Sequence, residues 1–558
     1  MKRPSRHGLA GALALSLGSV SGWAAAGDEP PVRMEPVFVE AASSNPWQYF
    51  RVPGFEVISH CPDDFNRVYA RALEASTAAR AALLPRDFWG GLSTPMKIVL
   101  YNREPEGGQA FSRPKPIDLS WVSGDDGTAG PYSLLRTYPT VVGDGDTFIS
   151  CGNYWSLLSS TSDFYADPDS EIRVRCRLPQ LPHWFVSGLV GPGGILATWT
   201  VEPGAGGQEF AVVPSVTWGS RAETLALIKD PKRPRAVMAL SRFFGAAVPA
   251  GEEDAWDAEA ALLVRWGLFG TEPDGRPHRE AFLDLVRGAC GQPVTETRFR
   301  ELLGMGFAEA EARLRAYVAV AVREPVRLPL GVAREKTVEI REATPTEVAR
   351  IVGDWGRLEA RAVGMQNLDY QRECLDQADR LFERIYARQT SDPGFLAAFG
   401  LYALQVGDVT RGREALESAT GAGVVRARAY LELARLKLGD SLPFAEQGIG
   451  DLNEADYGRV VGLLDTAMEQ APSLVGSYLL LAKAMEHAPK KPALGDMEVL
   501  EGAVALFPGN ASLAYKVATL YKRFGYPEKA QAVIARAFRM ADTNEDRARL
   551  AAFVVRDR

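Results

Sequence analysis

A chain of 558 residues, 46% apolar and 24% charged, has apolar material for about three or four packed domains of roughly 150 residues each. Its formal net charge of −7 is mild, and it shows no concentrated basic surface of the kind that marks a nucleic-acid binder. Five cysteines, none in Cys-x-x-Cys spacing, exclude a disulfide scaffold, a zinc knuckle and a thioredoxin-like site.

The N-terminus reads as an export signal. Lys2, Arg3 and Arg6 precede a small apolar run from Gly8 to Val20, and Ala24-Ala25-Ala26 offers a small-x-small cleavage site before Gly27. The run is too short and too rich in Gly and Ser to span a bilayer of ~30 Å, and no later segment reaches spanning length. Residues 1–26 are therefore expected to be a signal peptide and 27–46 a spacer. The mature protein is expected in the periplasm or outside the cell, with no integral membrane segment.

Trp47 to Ser59 is strand-like, although its alternation is imperfect. Asp63 or Asp64 can cap a helix running to about Leu84, with Tyr69, Ala72, Leu73 and Ala79 on its apolar side; Pro85 stops it. Met96 to Tyr101 is rich in β-formers. Residues 102–150 are rich in turns, and Thr147-Phe148-Ile149-Ser150 is their best strand. The Asp-Gly cluster at Asp144 lacks the alternating oxygen ligands of a calcium loop and reads as a turn. Cys151 and Cys176 flank one segment of this domain and are the candidate disulfide pair; buried thiols are the alternative.

The next stretch, Leu181-Pro182-His183-Trp184-Phe185-Val186-Ser187-Gly188-Leu189-Val190, carries a resemblance. It is similar to the Leu-Pro-x-Trp-Leu-x-Glu-Gly-Leu-Ala signature of gluzincin-type zinc metallopeptidases, specifically the peptidase MA-like proteins exported by many bacteria. In that family the Glu of the signature is the third zinc ligand, and a His-Glu-x-x-His helix lies shortly upstream. Here Ser187 stands at the Glu position, and His-Glu-x-x-His occurs nowhere. A zinc peptidase needs two imidazoles one helical turn apart and a Glu to activate water. His7, His60, His183, His278 and His487 include no such pair, and Glu171 beside Arg173 and Arg175 reads as a solvated ion pair. No catalytic residue, metal ligand or cofactor is assigned. Ser187-Gly188 also lacks the Gly-x-Ser-x-Gly elbow of a serine hydrolase.

The resemblance runs over residues 47–320. Leu181, Pro182, Trp184, Gly188 and Leu189 keep the packing half of the signature, and segments 255–266, 299–306 and 309–317 resemble the helices that follow in the family. It implies an α+β, zincin-like N-terminal domain whose catalysis is lost.

Residues 321–366 carry Pro325, Pro329 and Pro345 and a strand-like Lys336 to Ile340, and read as a linker. From there to residue 558 a helical repeat appears. Leu396, Phe399 and Gly400 recur 34 residues later as Tyr430, Leu433 and Ala434, the period and small residue of tetratricopeptide repeats. Ala482 and Ala518 continue the series on first helices, and Ala419, Ala467, Ala503 and Ala537 take the matching place on second helices. Small residues there let neighbouring helices approach closely. Leu416 to Leu464 is a step of 48, so Asp440 to Asp456 is an insertion. The expected domains are thus 47–320, a linker at 321–366, and an all-α repeat solenoid at 367–558.

Such arrays bind peptides or protein segments on their inner helices, but no stripe of Asn, Lys or Arg stands out there as a clamp for a peptide carboxylate. The expectation is an exported binding or scaffold protein with an inactive peptidase-like domain. A hydrolase with a non-standard active site and a structural component of the cell envelope are the alternatives.

Overall fold

The computed structural model describes residues 46–60, 63–85, 88, 93–100, 140–143, 146–150, 181–190, 194–195, 199–204, 207–212, 238–245, 251–272, 274–290, 292–321, 324–329, 338–363, 368–442, 452–470, 473–541 and 544–555. Cys61, Cys151, Cys176, Glu171 and the proposed signal peptide lie outside them. Cys290 and Cys374 remain thiols, half-buried and buried respectively.

The chain opens with a hairpin, β1 (Gln48–Val52) and β2 (Phe55–Ser59), turned at Pro53-Gly54, where Gly54 has φ +83°. Helix α1 (Asp63–Leu83) then returns the chain to β3 (Met96–Leu100), parallel to β2. Strands β4 (Thr140–Gly143) and β5 (Asp146–Ser150) are antiparallel, with Gly143 opposite Asp146; two residues of the Asp-Gly cluster separate them.

Next come the signature helix α2 (His183–Val190), the hairpin β6 (Trp199–Gly204) and β7 (Gly207–Val212), and the short α3 (Leu240–Phe243). Four helices follow: α4 (Glu253–Phe269), α5 (Arg279–Ala289), α6 (Glu296–Leu303) and α7 (Phe307–Ala321). Thr295 caps α6, and Gly304 at φ +69° ends it. These helices share a core centred on Trp184, Phe185, Phe243, Phe282 and Phe299. Arg279 donates to the carbonyls of Ala82 and Leu83 at 2.6 and 2.8 Å, satisfying the open end of α1.

The segment read as a linker is built into both halves of the molecule. β8 (Val326–Pro329) pairs with β7, and β9 (Arg341–Glu342) pairs with β1, completing a mixed sheet ordered β4-β5-β3-β2-β1-β9. A continuous helical stretch follows. It comprises α8 (Pro345–Val348), a π-helical turn (Ala349–Gly353) and α9 (Asp354–Val363). Thr344 and Glu347 form a capping box at its start.

This stretch covers one face of the sheet, where Tyr49, Ile58 and Val99 pack on Ile351, Val352, Trp355 and Leu358. Helix α1 covers the other face, through Tyr69, Ala70 and Leu73 on Phe50, Val57 and Ile98. Strand β2 is therefore buried along its whole length, which explains its imperfect alternation in the sequence.

The same stretch is the leading helix of the first helix pair, with α10 (Leu368–Tyr386) as its partner. Four more pairs follow among the described residues: α11 (Pro393–Gln405) with α12 (Val409–Gly421), α13 (Ala427–Ser441) with α14 (Glu454–Glu469), α15 (Val475–Glu486) with α16 (Leu494–Leu506), and α17 (Ala511–Arg523) with α18 (Pro527–Met540). A closing helix, α19 (Asn544–Val555), caps the last pair. This is an all-α solenoid of tetratricopeptide type, and it begins at Pro345 rather than at residue 367. Gly400, Ala434, Ala482, Ala518, Ala419, Ala467, Ala503 and Ala537 are all buried between its helices. Among the described residues no helix is long and apolar enough to cross a membrane.

Candidate functional site

Pro182 accepts the amides of Phe185 and Val186 at 2.9 and 3.1 Å and so starts the signature helix. Trp184, Phe185 and Leu189 point inward, and the Trp184 ring meets Phe243, Phe244 and Phe282 edge-on. Gly188 sets the spacing to α4. A Cβ there would lie 2.3 Å from the Ala260 carbonyl oxygen and 2.5 Å from Val264, so only glycine lets the two helices come this close.

One turn apart on the outer side of α2, His183 and Ser187 both face α4. The His183 ring stacks on Trp256, with centroids 5.0 Å apart, and Ser187 Oγ donates to Asp257 Oδ1 at 2.6 Å. The position that holds a zinc-binding carboxylate in the resembling family thus carries a hydroxyl engaged with a neighbouring acid. Among the described residues no three His, Cys, Asp or Glu side chains converge on a metal position. Of the other histidines, the His60 ring lies tilted against Trp47 and His278 Nε2 lies 2.8 Å from the Trp266 carbonyl. The segment 151–180, where the resemblance would place the zinc helix, lies outside the described residues.

On the inner side of α4, Glu259 is 2% exposed. Its Oε2 accepts the Met238 amide at 3.1 Å, while its Oε1 is buried without a hydrogen-bond partner. Glu311 takes the Leu240 amide at 2.9 Å. Burial, aided by the nearby Glu311, pushes Glu259 up to about 8 against the opposing pull of the Met238 amide and Arg315, so it is protonated at neutral pH. The two acids clamp the segment that carries Phe243 and Phe244 onto Trp184. Nothing in the sequence marks this clamp, because a Glu in an amphipathic helix looks like any solvated Glu.

Charged residues also join the sheet to the solenoid. Glu56, on β2, accepts from Tyr49 OH at 2.6 Å, from Arg51 Nη2 at 3.0 Å and from both terminal nitrogens of Arg350 on the π-helical turn. Burial works against ionisation of Glu56, but the Arg350 guanidinium prevails and holds it near 2. Four residues along the same stretch, Asp354 accepts from Arg357 Nε and from Arg426 Nη2, each at 2.7 Å, with all three side chains buried.

In the solenoid the leading helices stand side by side, α13, α15, α17 and α19 in turn. Residues that stay half-buried or exposed on them form a stripe. On α15 it runs through Leu479, Leu480, Lys483 and Glu486; on α17 through Ser512, Tyr515, Lys516, Thr519 and Arg523. Lys516 Nζ bridges to Glu486 at 2.6 Å, and Arg549 of α19 donates to Ser512 Oγ at 2.6 Å, which aligns the three helices. On this stripe Lys483 and Arg523 stay exposed, while Lys516 is paired with Glu486. Its cations are dispersed along the chain, and only the folded ladder gathers them.

No family model matches the chain, and no curated protein matches it. Solved structures to which it is similar include MamA AMB-1, at 20% identity and a TM-score of 0.25, over 35% of this chain and 91% of that one. Another is TTC0263, a thermophilic TPR protein of Thermus thermophilus, at 20% identity and a TM-score of 0.24, over 36% of this chain and 99% of that one.

Proposed function

We propose that this chain is an exported protein-binding scaffold, in which a peptidase-like domain without zinc chemistry is fused to a tetratricopeptide solenoid that holds a segment of a partner protein. The open stripe along α15 and α17 carries this reading. Side chains at helical spacing on adjacent leading helices, mixing Leu479, Leu480 and Tyr515 with charged groups, offer both apolar contact and polar register to an extended peptide. Loss of zinc chemistry rests on the ligand inventory of the sequence: a hydroxyl at the third-ligand position and no pair of histidines one helical turn apart.

Two measurements test the reading. Elemental analysis of the purified chain after incubation with zinc is expected to find no stoichiometric metal; one tightly held zinc per chain would sink the inactive reading and make peptidase assays the next step. Selection of random displayed 12-residue peptides on the full chain is expected to enrich binders. Failure to enrich any peptide above background would remove the binding role.

A further inference from the structure

Resting on that reading, we infer that the segment bound by the stripe is acidic, with apolar residues interspersed. Within the solenoid the charges of α14 to α17 are unevenly divided between helices. Helices α15 and α17 together carry Lys483, Lys516, Lys522 and Arg523 against the single carboxylate Glu486, and α17 has no acidic residue at all. The trailing helices α14 and α16 are the reverse: α16 has Asp496, Glu498 and Glu501 and no cation, and α14 has four acids and one Arg, whereas α18, the trailing partner of α17, is basic, with Lys529, Arg536 and Arg539 against Glu528. This uneven division occurs in a chain whose overall charge is −7.

Helix dipoles account for part of the pattern, since Lys483, Lys522 and Arg523 sit in the last turns of their helices. They do not account for the absence of acids from α17; Lys516, in its middle, is held by Glu486. Exposure points the same way. Lys483, Lys522 and Arg523 are exposed, whereas Glu486, the one carboxylate, is 18% exposed and already engaged by Lys516. A ligand approaching the stripe therefore meets cations first. Between them lie Leu479, Leu480 and Tyr515, half-buried and packed on the core beneath, with the Tyr515 ring edge-on to Phe553 of α19. The complementary partner is a peptide segment that alternates Asp or Glu with large apolar residues. Electrostatic matching of this kind sets specificity and association rate, and it weakens with salt.

The peptide selection distinguishes the outcomes when its products are sequenced. Enrichment of Asp and Glu, together with binding weakened at least about tenfold in Lys483→Glu/Arg523→Glu, is the expected result. These two residues are exposed, and a melting curve matching that of the parent shows that the variant folds. Binders with no excess of acid, or binders indifferent to the double substitution, would overturn the acidic assignment while leaving the scaffold reading in place. No binders at all would remove both. A 12-nucleotide oligothymidylate that binds as tightly as the best acidic peptide at the same ionic strength would also overturn it, by reassigning the stripe to nucleic acid.

Discussion

Two buried glutamates respond to pH in opposite directions. Glu259 is raised from 4.5 to about 8 by burial, so the folded state holds a proton that the unfolded chain releases. Its stabilising contribution is complete below pH 4.5 and is lost as pH rises toward 8, at up to about 1.4 kcal/mol per pH unit. Glu259→Gln keeps the shape and removes the titration. Its melting temperature relative to the parent is expected to climb between pH 5 and pH 8; a constant difference would show that Glu259 is ionised in the fold. Glu56 runs the other way. Arg350 holds it near 2, so its contribution is present above pH 4.5 and disappears as pH falls toward 2. Glu56→Gln leaves the buried Arg350 uncompensated, at a cost of about 3 kcal/mol in denaturant unfolding at pH 7. Glu56→Gln/Arg350→Met is expected to recover part of that loss, and a double variant no better than the single would refute the pairing. Neither glutamate was legible in the sequence. Each occupies a position where an exposed Glu fits the local pattern equally well, and its burial depends on a helix contributed from elsewhere in the chain.

At the scale of the element, the legible features were those with a local physical cause. Helix α1 announced itself through its caps and apolar spacing, and the solenoid through small residues repeated where helices must touch. The leading helix at 345–363 was hidden by Pro345 and by its π-helical turn, which shifts the apolar spacing partway along. Glycines at helix contacts separate two kinds of close approach. At Gly188 an added methyl meets the backbone carbonyl of Ala260, so Gly188→Ala must push α2 off α4 and is expected to cost about 2–3 kcal/mol. At Gly400 the two nearest atoms, 2.8 and 2.9 Å away, belong to the Leu416 side chain and the Gly412 carbonyl follows at 3.1 Å, a looser backbone approach than at Gly188, and the equivalent places in later pairs are already alanine. Gly400→Ala also gains about 1 kcal/mol of helix propensity, so it is expected to stay within about 1 kcal/mol of the parent. Thermal unfolding of the two variants side by side checks the contrast, and equal losses would mean that α2 and α4 are less tightly set than Gly188 implies.

For the whole molecule, the boundary that composition draws near residue 320 is not where cooperativity divides. The stretch 345–363 faces two ways: Ile351, Val352 and Trp355 cover the sheet, while Ala349 packs on Ala378 and Phe382 of α10. Cutting the chain at 320 would bare Tyr49, Ile58 and Val99, remove the β9 edge from β1, and leave Glu56 without Arg350. Cutting at 367 would strip the solenoid of its first helix and take Asp354 from Arg426. A fragment of residues 47–320 is therefore expected to melt without a cooperative transition and to bind the dye ANS, whereas residues 47–386, which keep the shared stretch and its partner α10, should melt cooperatively. Likewise, residues 345–558 should unfold at a higher denaturant concentration than residues 367–558. A cooperative melt of 47–320 near the temperature of the full chain would mean that the sheet closes without the solenoid. The two halves would then be separate bodies joined by a tether, and a partner bound along α15 and α17 would have no rigid path to the signature helix. If the fragments behave as expected, the sheet and the solenoid fold as one cooperative unit. Two ion pairs hold that unit together, Arg426 on Asp354 at the start of α9 and Arg350 on Glu56 in the sheet, and both Asp354 and Arg350 belong to the shared stretch.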